Sequence, residues 1–157
     1  MSSSGKSITA TAKLKNASVV LIRTEWNSDI VDELFAGCKK ILEAGHIEWR
    51  DYRVPGAVEI PFAIKKYWEK AGKKRPDAFI ALGCVIRGDT PHFDFVCRAV
   101  TDGITELNLQ LPVPVIFGVL TVNSEEQAKQ RIGGVHGHKG EEAADAAIKM
   151  ISFSRSL

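Results

Sequence analysis

Cysteine is scarce in this sequence: Cys38, Cys84 and Cys97 are the three in 157 residues. Three thiols cannot all pair within one chain, and none belongs to a Cys-x-x-Cys motif. No disulfide framework is expected; buried, reduced thiols are, as in a cytosolic protein. Long apolar runs are also missing. Nothing reaches the length needed to span a bilayer, and the Ser-rich start lacks the apolar core of a signal peptide. Both absences lead to the expectation of a cytoplasmic protein with no membrane partner. A strong charge of either sign is missing too. The net charge of +2 is too small to point to nucleic acid. Only Lys73-Lys74-Arg75 is locally basic, and it reads as a solvated loop after a helix. Gly5-Lys6-Ser7 lacks the upstream glycine and the preceding strand that a phosphate loop requires. No repeat and no linker interrupt the chain, so one domain is expected.

What is present is an ordinary globular composition, 45% hydrophobic and 25% charged, in a chain long enough to bury a core. Strand-like and helix-like patterns alternate along it. Val19 to Ile22 is a short β-rich run, followed by a helix with Asn27 or Ser28 as cap and Ile30, Val31, Leu34, Phe35, Cys38, Ile41 and Leu42 as its apolar face. Gly45 closes that helix. His46 to Val54 reads as a second strand with Ile47, Trp49, Tyr52 and Val54 packing, although the alternation slips at Tyr52. After Pro55-Gly56 a helix runs to Gly72, with Pro61 tolerated in its first turn. Ala78 to Leu82 and Val115 to Leu120 are two further apolar runs. Ser124-Glu125-Glu126-Gln127 fits a capping box that starts a short helix reaching Arg131, ended by Gly133-Gly134. A last amphipathic helix carries Ala143, Ala144, Ala147, Ile148 and Ile151. Such alternation predicts an α/β fold with a four-stranded parallel sheet, helices on both faces and right-handed crossovers. Residues 8–12 alternate like a strand with no obvious partner. They read either as a strand added to a neighbouring subunit's sheet or as a loose arm. The expected division is therefore an N-terminal arm over 1–14 and a single domain over 15–157.

The third strand runs into the most informative stretch, Gly83-Cys84-Val85-Ile86-Arg87-Gly88-Asp89-Thr90-Pro91-His92-Phe93. Thr90 is a good N-cap, and Pro91 suits the first helical position. Phe93, Val96, Val100, Ile104 and Leu107 then recur at helical spacing. The polar residues Arg87 to His92 thus fall where a strand ends and a helix begins, the edge at which open α/β sheets bind ligands. Free N–H groups at a helix start attract anions, and Gly88 lets a ligand approach the backbone. His92 stands near the positive end of the helix dipole, which favours a neutral, proton-accepting imidazole. Two readings stay open on spacing alone: an anion site beside a general base, and a capped turn with a solvent-facing histidine. A parallel sheet also brings Trp26, the Gly56 to Glu59 turn and the Thr121 to Arg131 segment to the same rim. Each has a plainer reading: Trp26 and Phe117 as core aromatics, Glu59 as a helix-start carboxylate, Arg131 and Lys139 as charges near helix ends. His136 and His138 form a His-x-His pair, but no Cys, Asp or further His stands at ligand spacing, so no metal is expected.

The motif Ala81-Leu-Gly-Cys-Val-Ile-Arg-Gly-Asp-Thr-Pro-His-Phe-Asp-Phe-Val96 resembles that of the lumazine synthases. Val54-Pro-Gly-Ala-Val-Glu-Ile-Pro61, Pro114-Val-Ile-Phe-Gly-Val-Leu-Thr121, Glu126-Gln-Ala with Arg131, and Gly137-His-Lys-Gly140 support it in order, from about residue 17 onward. The resemblance implies a flavodoxin-like three-layer fold and a step of riboflavin biosynthesis. The implied substrates are 5-amino-6-(D-ribitylamino)uracil and 3,4-dihydroxy-2-butanone 4-phosphate, condensed to 6,7-dimethyl-8-ribityllumazine with no cofactor. It implies that Trp26 stacks on the pyrimidine, that Ala57, Val58 and Glu59 line the ribityl chain, and that Cys84, Val85 and Ile86 present backbone groups to the ring. Asp89, Thr90 and Arg131 would hold the phosphate, with the Asp89 side chain turned away. His92 would shuttle protons. Phe117 would close the pocket from an adjacent subunit, and Lys139 would lie near the ribityl or phosphate groups. The family also implies pentamers, often gathered into icosahedral shells, and riboflavin synthase as a partner. The absence of an insertion between Ile132 and His138 favours the shell. Two positions depart from the family pattern: Trp26 where phenylalanine is usual, and His138 where asparagine is usual. A non-catalytic shell that binds a flavin or lumazine is the competing reading. A flavodoxin-like electron carrier is disfavoured, because Arg23 to Asn27 lacks a Ser/Thr-Gly-rich phosphate cradle.

Overall fold

The computed structural model describes residues 14–157. Four strands form one parallel sheet: β1 (Ser18–Thr24), β2 (Glu48–Val54), β3 (Ala78–Ile86) and β4 (Val115–Val122), in the spatial order β2-β1-β3-β4. The long helices are α1 (Ser28–Ala44), α2 (Ile60–Ala71), α3 (His92–Gln110) and α5 (Lys139–Ser156), with the short α4 (Glu125–Lys129) between β4 and α5. The α/β class, the four parallel strands and the helices on both faces agree with the expectation from sequence. The segment over residues 8–12, and the arm over 1–14 except Leu14, lie outside the described residues. Leu14 packs against the core beneath α1 and α5.

The central strands explain the topology. β1 and β3 are continuous apolar runs because both of their faces are covered, as parallel strands require. Their side chains feed two cores. Val19, Leu21, Ile80 and Leu82 point to Leu34, Cys38 and Leu42 of α1 and to Ala144, Ala147 and Ile151 of α5. Val20, Ile22, Phe79 and Ala81 point to Ile60 and Ile64 of α2 and to Val100, Ile104 and Leu107 of α3. The slip in β2 has the same origin. Ile47 and Trp49 pack on the α1 side, where Trp49 meets Phe35 edge-on at 5.5 Å, while Tyr52 turns to the α2 side and lies 5.4 Å from Tyr67.

Several sequence expectations need correction. The strand after His46 begins at Glu48, because His46 takes a positive φ of 55° that ends the preceding turn. α3 starts at His92, not at Pro91, although the Thr90 hydroxyl does accept from the His92 N–H at 3.4 Å. Asn27 stands at the cap position of α1 in a left-handed conformation but makes no cap hydrogen bond. Gly133-Gly134 does more than end α4: β5 (Ile132–Gly134) and β6 (Gly137–His138) pair antiparallel as a hairpin. Gly133 and Gly137 hold φ of 108° and 78° there, a conformation open to glycine at little cost. All three cysteines are free, but Cys97 is only half-buried because it lies off the inward stripe of α3.

Candidate active site

The chain turns from β1 leftward to β2 and then crosses back to β3, so β1 and β3 diverge in connectivity at their carboxyl ends. A crevice is expected at such a switch point. A cavity of about 470 Å³ opens there. Thr24, Trp26 and Asn27 line it from the end of β1, and Gly56, Ala57, Val58 and Glu59 from the turn after β2. Cys84, Val85, Ile86 and Gly88 line it from β3, and Thr90, His92, Phe93 and Val96 from the start of α3.

Local hydrogen bonds set each wall. The Glu25 and Trp26 N–H groups donate to the Val54 and Pro55 carbonyls at 2.8 and 3.2 Å, which ties the loop after β1 to the end of β2. Trp26 is 73% exposed, so it is no core aromatic. A Cβ at Gly56 would stand 3.1 Å from Glu59 Oε2 and 3.7 Å from Trp26 Cε3, so the carboxylate and the indole face meet over this glycine. Glu59 makes no side-chain cap bond to α2. The Asn27 amide donates to the Cys84 carbonyl at 2.8 Å and ties the start of α1 to the floor. Burial, reinforced by Glu125, pushes the Cys84 thiol up to about 11, so it stays protonated at neutral pH and offers the cavity no nucleophile.

The far wall is suited to an anion. Gly88, Asp89 and Thr90 donate no backbone hydrogen bond within the chain among the described residues. A Cβ at Gly88 would meet nothing within 4 Å, so the space above that backbone is open. The three residues lead directly into the start of α3, where unpaired amides and the helix dipole favour negative charge. The His92 ring stands at the same helix start, exposed to the cavity.

Nine of the thirteen residues singled out from sequence line this cavity: Trp26, Ala57, Val58, Glu59, Cys84, Val85, Ile86, Thr90 and His92. Asp89 lies between two lining residues without lining it. Phe117, Arg131 and Lys139 are absent from its walls. Phe117 sits in the first half of β4, opposite Ala81, and is 41% exposed. The Arg131 guanidinium donates to the Gln127 carbonyl at 2.8 Å, and Lys139 pairs with Glu142 at 2.8 Å. Sequence reasoning missed Thr24, Asn27, Phe93 and Val96 as wall residues. Asn27 read as a helix cap and Phe93 as core, and the only available signal was their position beside Trp26 and His92.

Fold and cavity together define a doubly wound α/β domain with a ligand-sized cavity at its switch point. Comparison with known proteins narrows this. The family described as 6,7-dimethyl-8-ribityllumazine synthase matches residues 16–155. A protein of that name from Parabacteroides distasonis is 47% identical over 137 residues, covering 85% of this chain and 84% of its own. One from Bdellovibrio bacteriovorus is 47% identical over 140 residues, covering 88% and 76%. One from Bacteroides fragilis is 43% identical over 140 residues, covering 87% and 96%. The chain belongs to the 6,7-dimethyl-8-ribityllumazine synthase family.

Proposed function

We propose that this enzyme condenses 5-amino-6-(D-ribitylamino)uracil with 3,4-dihydroxy-2-butanone 4-phosphate to 6,7-dimethyl-8-ribityllumazine, in riboflavin biosynthesis and without a cofactor. The supporting observation is the meeting of an exposed indole, a carboxylate and a free-amide helix start in one cavity. Trp26 stacks on the pyrimidine, whose edge faces the backbone of Cys84, Val85 and Ile86. Ala57 and Val58 flank the ribityl chain, and Glu59 accepts its hydroxyl hydrogen bonds. The Asp89 N–H and Thr90 hold the phosphate. The substrate amine attacks the ketone and gives an imine with loss of water. Loss of a proton then expels phosphate by elimination, tautomerisation restores a carbonyl, and the second amine closes the ring on it with loss of a second water. His92 carries protons between these steps. The demand is for orientation and proton transfer, which a cavity with one imidazole on its wall meets.

The family is homo-oligomeric. We assign Phe117, Arg131 and Lys139 of each chain to the cavity of its neighbour, because none of them lines the cavity of its own chain. The guanidinium then supplies the planar fork that phosphate favours. Pentameric rings assembled into an icosahedral shell, with riboflavin synthase as a partner, complete the reading. The tight β5–β6 hairpin, with no insertion, favours the shell, and the free cysteines suit the cytoplasm.

The test is to mix both substrates and follow lumazine absorbance. A rate no higher than the spontaneous reaction would leave a non-catalytic shell. His92→Ala is expected to lose at least about tenfold in rate while keeping pyrimidine affinity. Co-assembling His92→Ala chains with Arg131→Ala chains is expected to restore part of the activity that each lacks. No recovery would mean that both residues serve one chain's cavity.

A further inference from the structure

An arginine in an anion-binding loop invites the reading of a phosphate ligand, but Arg87 is turned away from the cavity. Ile86 and Gly88 line it, and Arg87 does not. Its backbone N–H donates to the Val122 carbonyl at 2.9 Å, beyond the last β3–β4 pair. Its Nε donates to Asn123 Oδ1 at 3.0 Å, and its Nη2 reaches Asp94 Oδ1 at 3.4 Å. The guanidinium carbon lies 4.3 Å above the Phe93 ring, and Phe93 is itself a cavity wall. One side chain therefore grips the end of β4, the first turn of α3 and the ring next to His92. Asn123 is anchored in turn, its N–H donating to Gln127 Oε1 at 2.8 Å.

We propose that Arg87 is a positioning residue for the condensation: it acts through Phe93, Asp94 and Asn123 to fix the Gly88–His92 segment. This rests on the reading of that segment as the phosphate and proton-transfer wall. The physical need is clear. Gly88, Asp89 and Thr90 make no backbone–backbone bonds among the described residues, so their aim depends on what holds the segment's ends. Small misplacements of groups that hold a reacting phosphate cost large factors in rate. An ion pair as exposed as Arg87–Asp94 adds little to global stability, so the clamp shows in kinetics rather than in melting.

Asn123→Ala separates a clamp from a ligand. It leaves the Arg87 charge in place but removes its anchor. Arg87→Ala and Asn123→Ala are each expected to lower kcat/KM for the phosphate substrate by about tenfold. Pyrimidine affinity and thermal midpoint should change little. The double variant should fall little further than Arg87→Ala alone, since both break one link. Arg87→Lys should not rescue, because an ammonium cannot stack and fork at once. Amide exchange over residues 88–93 should quicken in both single variants, a readout that needs no turnover. Wild-type kinetics in Asn123→Ala beside a defective Arg87→Ala would overturn the clamp and make Arg87 an anion ligand. Unchanged exchange in both variants would also overturn it. A wild-type protein without turnover would instead sink the functional reading, and the exchange result would still decide the clamp.

Discussion

The two helical layers of this sheet are built differently. Between α1 and α5 the packing is closed by the chain itself. A Cβ at Gly140 would stand 2.0 Å from the Leu34 carbonyl oxygen, and Leu34 and Cys38 are fully buried beneath. The α2–α3 layer covers its half of the core but leaves Phe62 at 71% and Phe95 at 66% exposed, beside a cavity whose Trp26 is barer still. Both layers bury a core, but only the α2–α3 side also leaves the cavity and these aromatic rings open.

Breaking the closed layer should give the largest effect. Leu34→Ala removes a buried side chain from between α1, α5 and the sheet and should cost about 3 kcal/mol by chemical denaturation. The protein that remains folded should turn over as before. Phe95→Ser is its counterpart on the open layer. It should alter the stability of the chain by less than about 0.5 kcal/mol, as exposed substitutions do. It should lower the assembly mass read by light scattering. A large loss of chain stability in Phe95→Ser, with unchanged mass, would erase the contrast.

Alkaline pH sharpens the same comparison. Burial pushes the Cys38 thiol from 9.0 up to about 12, against a smaller opposing hydrogen bond from the Ala144 backbone. The folded chain therefore keeps a proton that the unfolded chain releases. Its contribution is intact below pH 9.0 and is lost as pH climbs toward about 12. Denaturation series across that window should show stability falling more steeply for wild type than for Cys38→Ala. Equal slopes would mean that the α1–α5 layer admits water.

Legibility from sequence follows the same division. The strands and long helices were readable because the chain buries them against itself, and apolar period reports that burial directly. The β3–α3 turn was readable for its proline and glycine, although the helix starts one residue later than the Thr90 cap reading put it. The β5–β6 hairpin was not, because strands of three and two residues carry no alternation and rest on positive φ at Gly133 and Gly137. The roles of Asn27 and Arg87 were hidden for another reason. Each looks local in sequence, as a cap or an anion ligand, yet is held by a partner on a distant strand or loop. The site roles of Phe117, Arg131 and Lys139 came from the resemblance, and although the sheet brings the segment ending at Arg131 to the same rim, none of the three lines the cavity of its own chain.

The seam of the closed layer carries a smaller effect than its centre. His138 caps α5 with its ring: Nδ1 accepts from the Glu141 N–H at 3.3 Å. Asparagine is also a good cap, so His138→Asn should be nearly neutral, whereas His138→Ala should cost about 1 kcal/mol. The ring also needs Gly37, where a Cβ would approach its Cε1 to 2.2 Å. Gly37→Ala should therefore destabilise wild type. In the His138→Ala background, with the ring gone, the same change should become neutral or stabilise by up to about 1 kcal/mol, the usual gain of alanine over glycine within a helix. A Gly37→Ala effect of equal size in both backgrounds would show that the imidazole does not occupy the space this glycine leaves.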